Sequence, residues 1–398
     1  MKLKNKVKIF PALIIFYLFL LYFFLIIQRI YLFFVAFLGI VYCFNYKKLI
    51  FTFPFFILFF YFCFGLSTLA LSKNISAGMD FAATLVIALL IISYRPTQSE
   101  CNQLVYGFEF FILICVIGCI WQIIDDDSLL LFNSLHFNSE KTHTCRDFIA
   151  GNALVGFSYQ TGVTGFYLAL FVGLILCALQ KKHKKIIKLS LYVILIFAFY
   201  LLLMTGKRGF LLFTIIYFIL FLCLFNRTKI LKILLFTIIA AIVVLLLFKY
   251  TEMGHTILKR STTGDISTGR WDLYEEMIND FKRSPLFGNG FGSSTTFESG
   301  VRNGHNIYLQ LLSENGIIGF ALMMIFFSYN LFRTFRLFFY SIKYHQPLFQ
   351  ISFSLYGQLI FLGWGFTGNP LYDVYPFIAY LAFVIIAQSL SHQIIENK

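Results

Sequence analysis

Long, uninterrupted apolar segments dominate this sequence and constrain its fold more than any other feature. A transmembrane helix needs about 20 mostly apolar residues, because each residue advances the helix by about 1.5 Å through a hydrocarbon core of about 30 Å. The apolar runs are continuous, whereas the strands of membrane proteins alternate apolar and polar residues. Twelve segments approach or exceed the required length: 9–27, 30–46, 49–71, 77–94, 103–124, 152–180, 186–205, 209–226, 229–249, 305–328, 346–367 and 373–391.

The composition supports the same interpretation. Hydrophobic residues make up 59% of the 398 residues and charged residues only 13%, against about 25% charged residues in a typical soluble domain. This excludes a disordered chain, a coiled coil and an ordinary cytosolic enzyme. The sequence therefore predicts an all-α polytopic integral membrane protein of about 12 transmembrane helices, with residues 1–398 forming a single membrane domain.

The formal net charge of +14 indicates the orientation of the chain in the membrane. Lys and Arg concentrate in the short loops that stay in the cytoplasm. With the N-terminus inside, the inner face carries a net charge of +16 and the outer face −2, which together give +14. We therefore expect both termini to be cytoplasmic. The excess of Lys and Arg over Asp and Glu sets the orientation of the chain in the lipid bilayer and does not indicate a nucleic-acid partner.

Two loops are long, and this topology places both on the outer face, at 125–151 and 250–304. The larger loop contains an amphipathic segment, and we expect it to form a helix that lies as a lid over the spans. Its predicted apolar face consists of Trp271, Tyr274, Met277, Ile278 and Phe281.

The smaller loop contains His136, His143 and Cys145. Their spacing matches no usual zinc pattern, and we predict no metal site. Cys145 is the cysteine that we place in an outer loop, so we expect it to react with an impermeant thiol reagent from outside, provided that it is exposed.

Three basic residues, at two places in the second half of the chain, could bind an anion. Lys207 and Arg208 are adjacent in a tight outer turn, Thr-Gly-Lys-Arg-Gly. They are either snorkelling side chains at a helix end or a phosphate clamp, since a guanidinium binds phosphate oxygens bidentately. Arg270, at the start of the amphipathic segment, is either an ordinary loop arginine or a second phosphate ligand.

The junction between the larger loop and the tenth span carries further candidates. The glycine-rich segment 288–294 is either a plain turn or a nest of backbone N–H groups for an anion. His305 is either an interfacial residue or a general base near neutral pH, with Arg302 and Asn306 beside it. Glu314 lies within the span, where a carboxylate is costly unless it has a partner.

Three segments carry a resemblance to a known family: LLLMTGKRGF, STGRWDLYEEMINDFKRSPLFGNGFGSS and GHNIYLQLLSENGIIGF. Together, over roughly residues 195–328, they resemble the bacterial superfamily of O-antigen ligases and Wzy-type O-antigen polymerases (Wzy_C-like). The first half of the chain resembles the family only in hydropathy. Lys207 is a departure, because family members often have Ser before the arginine.

The resemblance implies a metal-independent, GT-C-like glycosyltransferase without a cofactor, in the bacterial inner (cytoplasmic) membrane. It implies an undecaprenyl-diphosphate-linked glycan donor, a glycan acceptor and a site on the periplasmic face, with a chain-length regulator protein as a further partner. We assign catalysis to His305, Arg208 and Arg270: the arginines would hold the diphosphate, and the histidine would activate the acceptor hydroxyl in an inverting displacement. We assign substrate binding to the following residues: Arg302, Lys207, Asn306 and Glu314.

Three functions compete. The first is a polymerase of lipid-linked repeat units for O-antigen or capsular polysaccharide, which segment 363–377 resembles more closely. The second is the ligase of the same superfamily, which transfers the glycan to lipid A-core. The third is a flippase or other carrier of lipid-linked oligosaccharide. A carrier predicts broken, polar spans at the midplane and pseudo-repeated halves, whereas polarity here concentrates in one outer loop.

Overall fold

A computed structural model describes residues 9–23, 28–46, 49–226, 231, 235, 270–297, 300–301, 304–344 and 348–396. These residues form helices almost throughout, with one antiparallel pair of two-residue strands, β1 (Thr296–Phe297) and β2 (Gly300–Val301). The helices are α1 (Ile9–Phe23), α2 (Gln28–Tyr46), α3 (Phe53–Thr68), α4 (Ile75–Ser93), α5 (Gln98–Ile124), α6 (Asp126–Ser134), α7 (Ser139–Ala150), α8 (Thr161–Ala178), α9 (Lys185–Met204), α10 (Arg208–Phe225), α11 (Arg270–Arg283), α12 (Ile307–Tyr344), α13 (Leu348–Trp364) and α14 (Val374–Glu396).

The predicted polytopic helical architecture is confirmed. Within the described residues, eight helices are long and apolar enough to cross a membrane, and α1, α2 and α13 contain shorter apolar stretches. Each of these eleven helices coincides with a predicted span. The predicted ninth span, 229–249, lies outside the described residues apart from Leu231 and Leu235.

The structure corrects several boundaries. The loop predicted at 125–151 is mostly helical, because Asp125 and Asn138 cap α6 and α7 by accepting backbone N–H bonds at 3.0 Å. The sixth span begins at Thr161 and not at residue 152. Helix α12 continues to Tyr344, beyond residue 328 at which the predicted tenth span ends.

A further correction concerns Cys145. Its residue exposure is 0%, and its Sγ lies 3.5 Å from the side-chain nitrogen of Asn133 on α6. The thiol faces the contact between α6 and α7, so labelling from outside is not expected at this residue. The sequence placed it on the correct segment but could not show that the segment folds around it.

The centre of the bundle is formed by α8, α13 and α14. In the apolar windows of α8 and α14, 78% and 89% of the residues are buried, against 22% in α9 and 17% in α10. The hairpin of α9 and α10 therefore lies at the edge of the bundle, and most of its surface is available to lipid.

Helix α12 is broken at Gly316, whose φ of 58° and ψ of −166° are not helical. Residues 285–294, which we call the strap, run alongside this break. Leu286 and Pro285 accept hydrogen bonds from the backbone N–H groups of Ile318 and Ile317, at 3.4 and 2.8 Å. In the opposite direction, backbone N–H groups of the strap donate to α12: Asn289 to the carbonyl of Ser313 at 3.1 Å and Gly290 to that of Glu314 at 2.8 Å.

The strap also enters the bundle between α3 and α4. Phe291 is completely buried, and its ring centroid lies 5.4 Å from that of Tyr61 and 5.1 Å from that of Phe81. Gly290 has a φ of +86°, and a Cβ there would lie 2.4 Å from the backbone oxygen of Thr68. The glycines of this segment therefore permit a left-handed backbone and a close approach to neighbouring main chain.

We predict that Gly290→Ala destabilises the protein strongly. Gly206→Ala is the matched control, because Gly206 also has a positive φ but has nothing within 4 Å of its Cβ position. The control should lose about 1 kcal/mol from left-handed strain, and Gly290→Ala about 2 kcal/mol or more in addition from the clash. Thermal unfolding midpoints of the detergent-solubilised variants measure the difference, and equal midpoints would contradict the described packing.

The predicted orientation is tested by a pair of exposed positions, one before α8 in the chain and one after it. His143 on α7 has a side chain that is 73% exposed, and Lys182 is exposed in the turn after α8. In a background without other reactive cysteines, His143→Cys should react with an impermeant maleimide in intact cells. Lys182→Cys should react only after permeabilisation, and the reverse pattern would place the N-terminus outside.

Candidate functional site

The turn that carries His305 has an unusual backbone. His305 has a φ of +52°, a left-handed conformation that few non-glycine residues adopt. The next residue, Asn306, begins α12: its side-chain oxygen accepts the backbone N–H groups of Tyr308 and Leu309 at 3.0 and 3.2 Å. Ile307 then donates to the backbone oxygen of Gly365, at 2.9 Å. The histidine therefore lies on a turn fixed on both sides.

Asn306 was predicted to bind substrate or orient the histidine. Its side-chain oxygen forms a helix cap, which is a common role for asparagine at this position, and its role towards substrate or the histidine stays a prediction. This cap stabilises the start of α12, which explains why an asparagine occupies this position.

Helix α11 covers this turn. Met277 and Leu273 are 0% and 4% exposed and pack with Tyr274 and Leu309. The Tyr274 hydroxyl donates to the backbone oxygen of His305, at 3.4 Å. A Cβ at residue 304 would lie 2.8 Å from the Met277 sulfur, so glycine permits the close approach of the two segments.

The predicted apolar face of α11 is partly wrong. Leu273 belongs to the buried stripe, whereas Trp271 is 68% and Ile278 40% exposed. The reason is that α11 packs against α12 along the narrow stripe of Leu273 and Met277, and Trp271 and Ile278 lie outside that stripe. Trp271 forms an edge-on ring contact with Tyr274 at 5.9 Å between centroids.

Three cationic or titratable side chains converge at this place from three elements. Lys207 precedes α10, Arg270 begins α11 and His305 precedes α12. Burial, followed by the positive charge of Arg270, lowers the pKa of Lys207. Partial burial, followed by the charges of Arg270 and Lys207, lowers the pKa of His305 to about 4. We call these three residues the cation cluster.

The electrostatics of the cation cluster favour an anionic ligand. Among the described residues, no acidic side chain forms an ion pair with Lys207 or Arg270. The Lys207 nitrogen lies 5.9 Å from the ring centroid of Phe148 on α7, which shields it from water on that side. At neutral pH the imidazole is neutral, so it can accept a proton from a nearby hydroxyl.

The other predicted residues either have no described contact with the cation cluster or lie outside the described residues. Arg208 is the first residue of α10 and is exposed; no described contact joins it to Arg270 or His305. Arg302 lies outside the described residues. Glu314 is completely buried, and its carboxylate contacts Ser294 and Gln310.

The glycine-rich segment does not present a free anion nest at its centre. The backbone N–H groups of Gly288, Asn289 and Gly290 all donate to backbone carbonyls, at 2.9, 3.1 and 2.8 Å. Of the two interpretations left open by the sequence, the structure therefore favours the turn.

The three residues considered as a metal site have separate partners. The His143 ring nitrogen Nδ1 lies 3.0 Å from a carboxylate oxygen of Asp147, and that of His136 lies 2.9 Å from the backbone oxygen of Phe132. Cys145 is buried beside Asn133. Within the part of the chain that the structure describes, no group of three or more His, Cys, Asp or Glu side chains is arranged to hold a metal ion.

Two residues of interest carried no sequence signal. Phe148 contacts Lys207 across 59 positions of sequence, which no local pattern indicates. Asp373 lies in the turn between α13 and α14, and burial raises the pKa of its carboxyl to about 7. Its charge acts on Tyr159 and Tyr375. A carboxyl that titrates near neutral pH can exchange protons, but the sequence around it indicates only a helix start.

Comparison with known proteins supports the predicted resemblance. Residues 192–324, about a third of the chain, match the family model Wzy_C, described as O-antigen ligase. The match runs from α9 to the first half of α12 and contains all three members of the cation cluster. The similarity predicted from three short segments is thus confirmed over this part of the chain. No curated protein matches the chain.

We predict that Lys207→Ala raises the pKa of His305 from about 4 towards its usual 6.5, because removing a neighbouring positive charge favours the imidazolium. The pH dependence of His305 carbethoxylation, followed by mass spectrometry, measures this value, because only the neutral imidazole reacts. Lys141→Ala is the control, since Lys141 lies over the Tyr159 ring, 5.3 Å from its centroid. An unchanged His305 titration in Lys207→Ala would contradict the placement of Lys207 close to His305.

Proposed function

We propose that this chain is a membrane glycosyltransferase that polymerises undecaprenyl-diphosphate-linked oligosaccharide repeat units into O-antigen or capsular polysaccharide. The observation that carries the proposal is the cation cluster, in which the charges of Arg270 and Lys207 act on the imidazole of His305. The match to the O-antigen ligase family over residues 192–324 supports the chemistry. We place the chain in the bacterial inner membrane, with a GT-C-like architecture and the site at the periplasmic face.

In this mechanism, Arg270 and Lys207 bind the diphosphate of the donor. Negative charge grows on this diphosphate as the glycosidic bond breaks, and preorganised cations stabilise it in the transition state. Arg270 offers a planar fork for two phosphate oxygens, whereas Lys207 acts as a point charge. Arg208, assigned by the resemblance, would add a third cation from the same turn as Lys207.

His305 acts as the general base. It takes the proton from an acceptor hydroxyl while the oxygen attacks the anomeric carbon and the bond to the diphosphate breaks. Undecaprenyl diphosphate leaves, and the configuration at the anomeric carbon inverts because one direct displacement occurs. Arg302 is proposed to contact the acceptor or the phosphate.

Donor binding would also prepare the base. In the free protein, the two neighbouring cations help to lower the pKa of His305 to about 4, which makes it a weak base. A bound diphosphate neutralises these cations and raises the pKa of the imidazole, because an adjacent negative charge favours its protonated form. The histidine therefore becomes a better proton acceptor when the donor is in place.

The second candidate is the ligase of the same superfamily, which is compatible with the description of the matching family model. It uses the same donor and the same cation cluster and differs in its acceptor, lipid A-core. A lipid-linked oligosaccharide carrier is less well supported, because the polar groups meet at the end of the bundle. A chain-length regulator protein is a proposed partner of the polymerase.

The proposed roles predict that Arg270→Ala, Arg208→Ala and His305→Ala each reduce activity by about 100-fold or more without loss of the protein from the membrane. Arg270→Lys should remain substantially impaired, because the bidentate contact is lost. Arg283→Ala is the matched control, since Arg283 lies at the other end of α11 with a side chain 65% exposed. Activity should not respond to chelators of divalent metals.

The readout is a glycan gel of a deletion strain complemented with each variant. Lipopolysaccharide capped with a single repeat unit in the deletion strain identifies a polymerase. Rough lipopolysaccharide with accumulated lipid-linked polymer identifies a ligase. Repeat units retained on the cytoplasmic side indicate a carrier, and full activity of His305→Ala would remove the histidine from the proposed mechanism.

A further inference from the structure

Glu314 is an acidic residue that the proposed chemistry does not use. It lies two residues before the break at Gly316, and none of its surface is exposed. A carboxylate inside a membrane helix is expensive unless protein groups satisfy it. Its position and its partners therefore call for a function other than substrate contact.

Two side chains hold the same oxygen of this carboxylate. The hydroxyl of Ser294, the last residue of the strap, donates to Glu314 Oε1. The side-chain nitrogen of Gln310, one turn earlier on α12, donates to the same oxygen at 2.9 Å. Tyr372 and the backbone N–H of Gly292 face the carboxylate as well. Glu314 thus joins the strap to the first half of α12.

Gln310 extends this connection to the turn that carries His305. Gln310 is 1% exposed, and its side-chain oxygen would lie 3.1 Å from a Cβ at Gly304. Its backbone N–H donates to the Asn306 carbonyl at 3.0 Å. A continuous series of contacts therefore runs from Ser294 through Glu314 and Gln310 to the residues on both sides of the histidine.

The broken helix gives these contacts a mechanical role. The break at Gly316 interrupts the intrahelical hydrogen bonds that would otherwise fix residues 307–315 to the rest of α12. The start of the half-helix is bound through Ile307 to Gly365, which follows α13, and at its other end the backbone bonds of Asn289 and Gly290 engage only its last turn. The Glu314 carboxylate adds side-chain contacts that reach one turn closer to His305.

We propose that Glu314 is a positioning residue that, by binding Ser294 and Gln310 together, fixes the half-helix 307–315 and holds His305 beside Lys207 and Arg270. The effect on glycan transfer rests on the proposed function, whereas the placement of the histidine does not. Loss of the carboxylate oxygen would let the His305 turn move away from the two cations that face it, Arg270 from α11 and Lys207 from the turn before α10.

The test compares Glu314→Ala with Glu314→Gln in the full-length membrane protein. The glutamine keeps an oxygen at the position that accepts both hydrogen bonds, whereas the alanine removes it. Asn330→Ala is the control, because Asn330 is a buried polar residue of α12 on the other side of the break, 2% exposed. Ser294→Ala removes one donor alone and serves as a milder variant if Glu314→Ala does not accumulate in the membrane.

The first readout is independent of activity. Carbethoxylation of His305 at pH 5 and pH 7 is measured by mass spectrometry, with the exposed His143 as an internal reference. In the wild type, His305 should react almost as fast at pH 5 as at pH 7. In Glu314→Ala the ratio of the His305 reaction rate at pH 5 to that at pH 7 should fall by about 10-fold or more. The reason is that a histidine returned to a pKa of about 6.5 is largely protonated at pH 5. Glu314→Gln and Asn330→Ala should behave like the wild type.

The second readout is glycan extension by membranes supplied with lipid-linked repeat units. Glu314→Ala should lower kcat by about 10-fold or more and change KM by less than about 2-fold, which is the signature of lost positioning with retained binding. A wild-type His305 titration in both Glu314→Ala and Ser294→Ala overturns the proposal, whatever the glycan assay shows. A wild-type protein that extends no glycan rejects the proposed function, and the labelling still decides the positioning role.

Discussion

The exchange of backbone hydrogen bonds between the strap and the broken helix α12 is the interaction on which the site depends. Inside a bilayer no water is available to satisfy an interrupted helix, so its free N–H and C=O groups need partners from the protein. Residues 285–290 supply these partners on both sides of Gly316. The break is therefore possible because the strap enters the bundle, and the strap follows directly on α11, which packs over the start of α12.

The cation cluster follows from that arrangement. Arg270 opens α11, and α11 is held by the packing of Leu273 and Met277 near the start of α12 and by the strap that follows it. His305 lies directly under α11, where the Tyr274 hydroxyl bonds to its backbone. Lys207 comes from an unrelated hairpin and completes the cluster. Three positive or titratable groups are thus brought together by backbone hydrogen bonds and apolar packing, to which the side-chain contacts of Glu314 are proposed to add.

The sequence predicted the spans well, because continuous apolar runs reflect the thickness of the hydrocarbon directly. It also selected Arg270 and His305 as members of one site, and the structure brings them together with Lys207. The sequence did not indicate that α6 and α7 fold around Cys145 or that Leu273 lies in the buried stripe of α11. Those features depend on which neighbours are present, and a periodic pattern does not contain that information. The hydrogen bonds between the strap and the residues on either side of Gly316, and the contact of Lys207 with Phe148, join positions that are far apart in the chain.

The exposed hairpin of α9 and α10 has a consequence for how a long-chain lipid could be handled. Ile196 of α9 is 71% exposed and Leu212 of α10 is 55% exposed, while the turn between these helices carries Lys207. Among the described residues, these exposed apolar side chains lie on the two helices that the turn joins, so a phosphate group held at this turn would lie close to the hydrocarbon. A polyprenyl chain attached to that phosphate could remain dissolved in the bilayer from arrival to departure. The protein would then need no internal cavity for the lipid, and substrates with tails of different lengths would meet the same polar end.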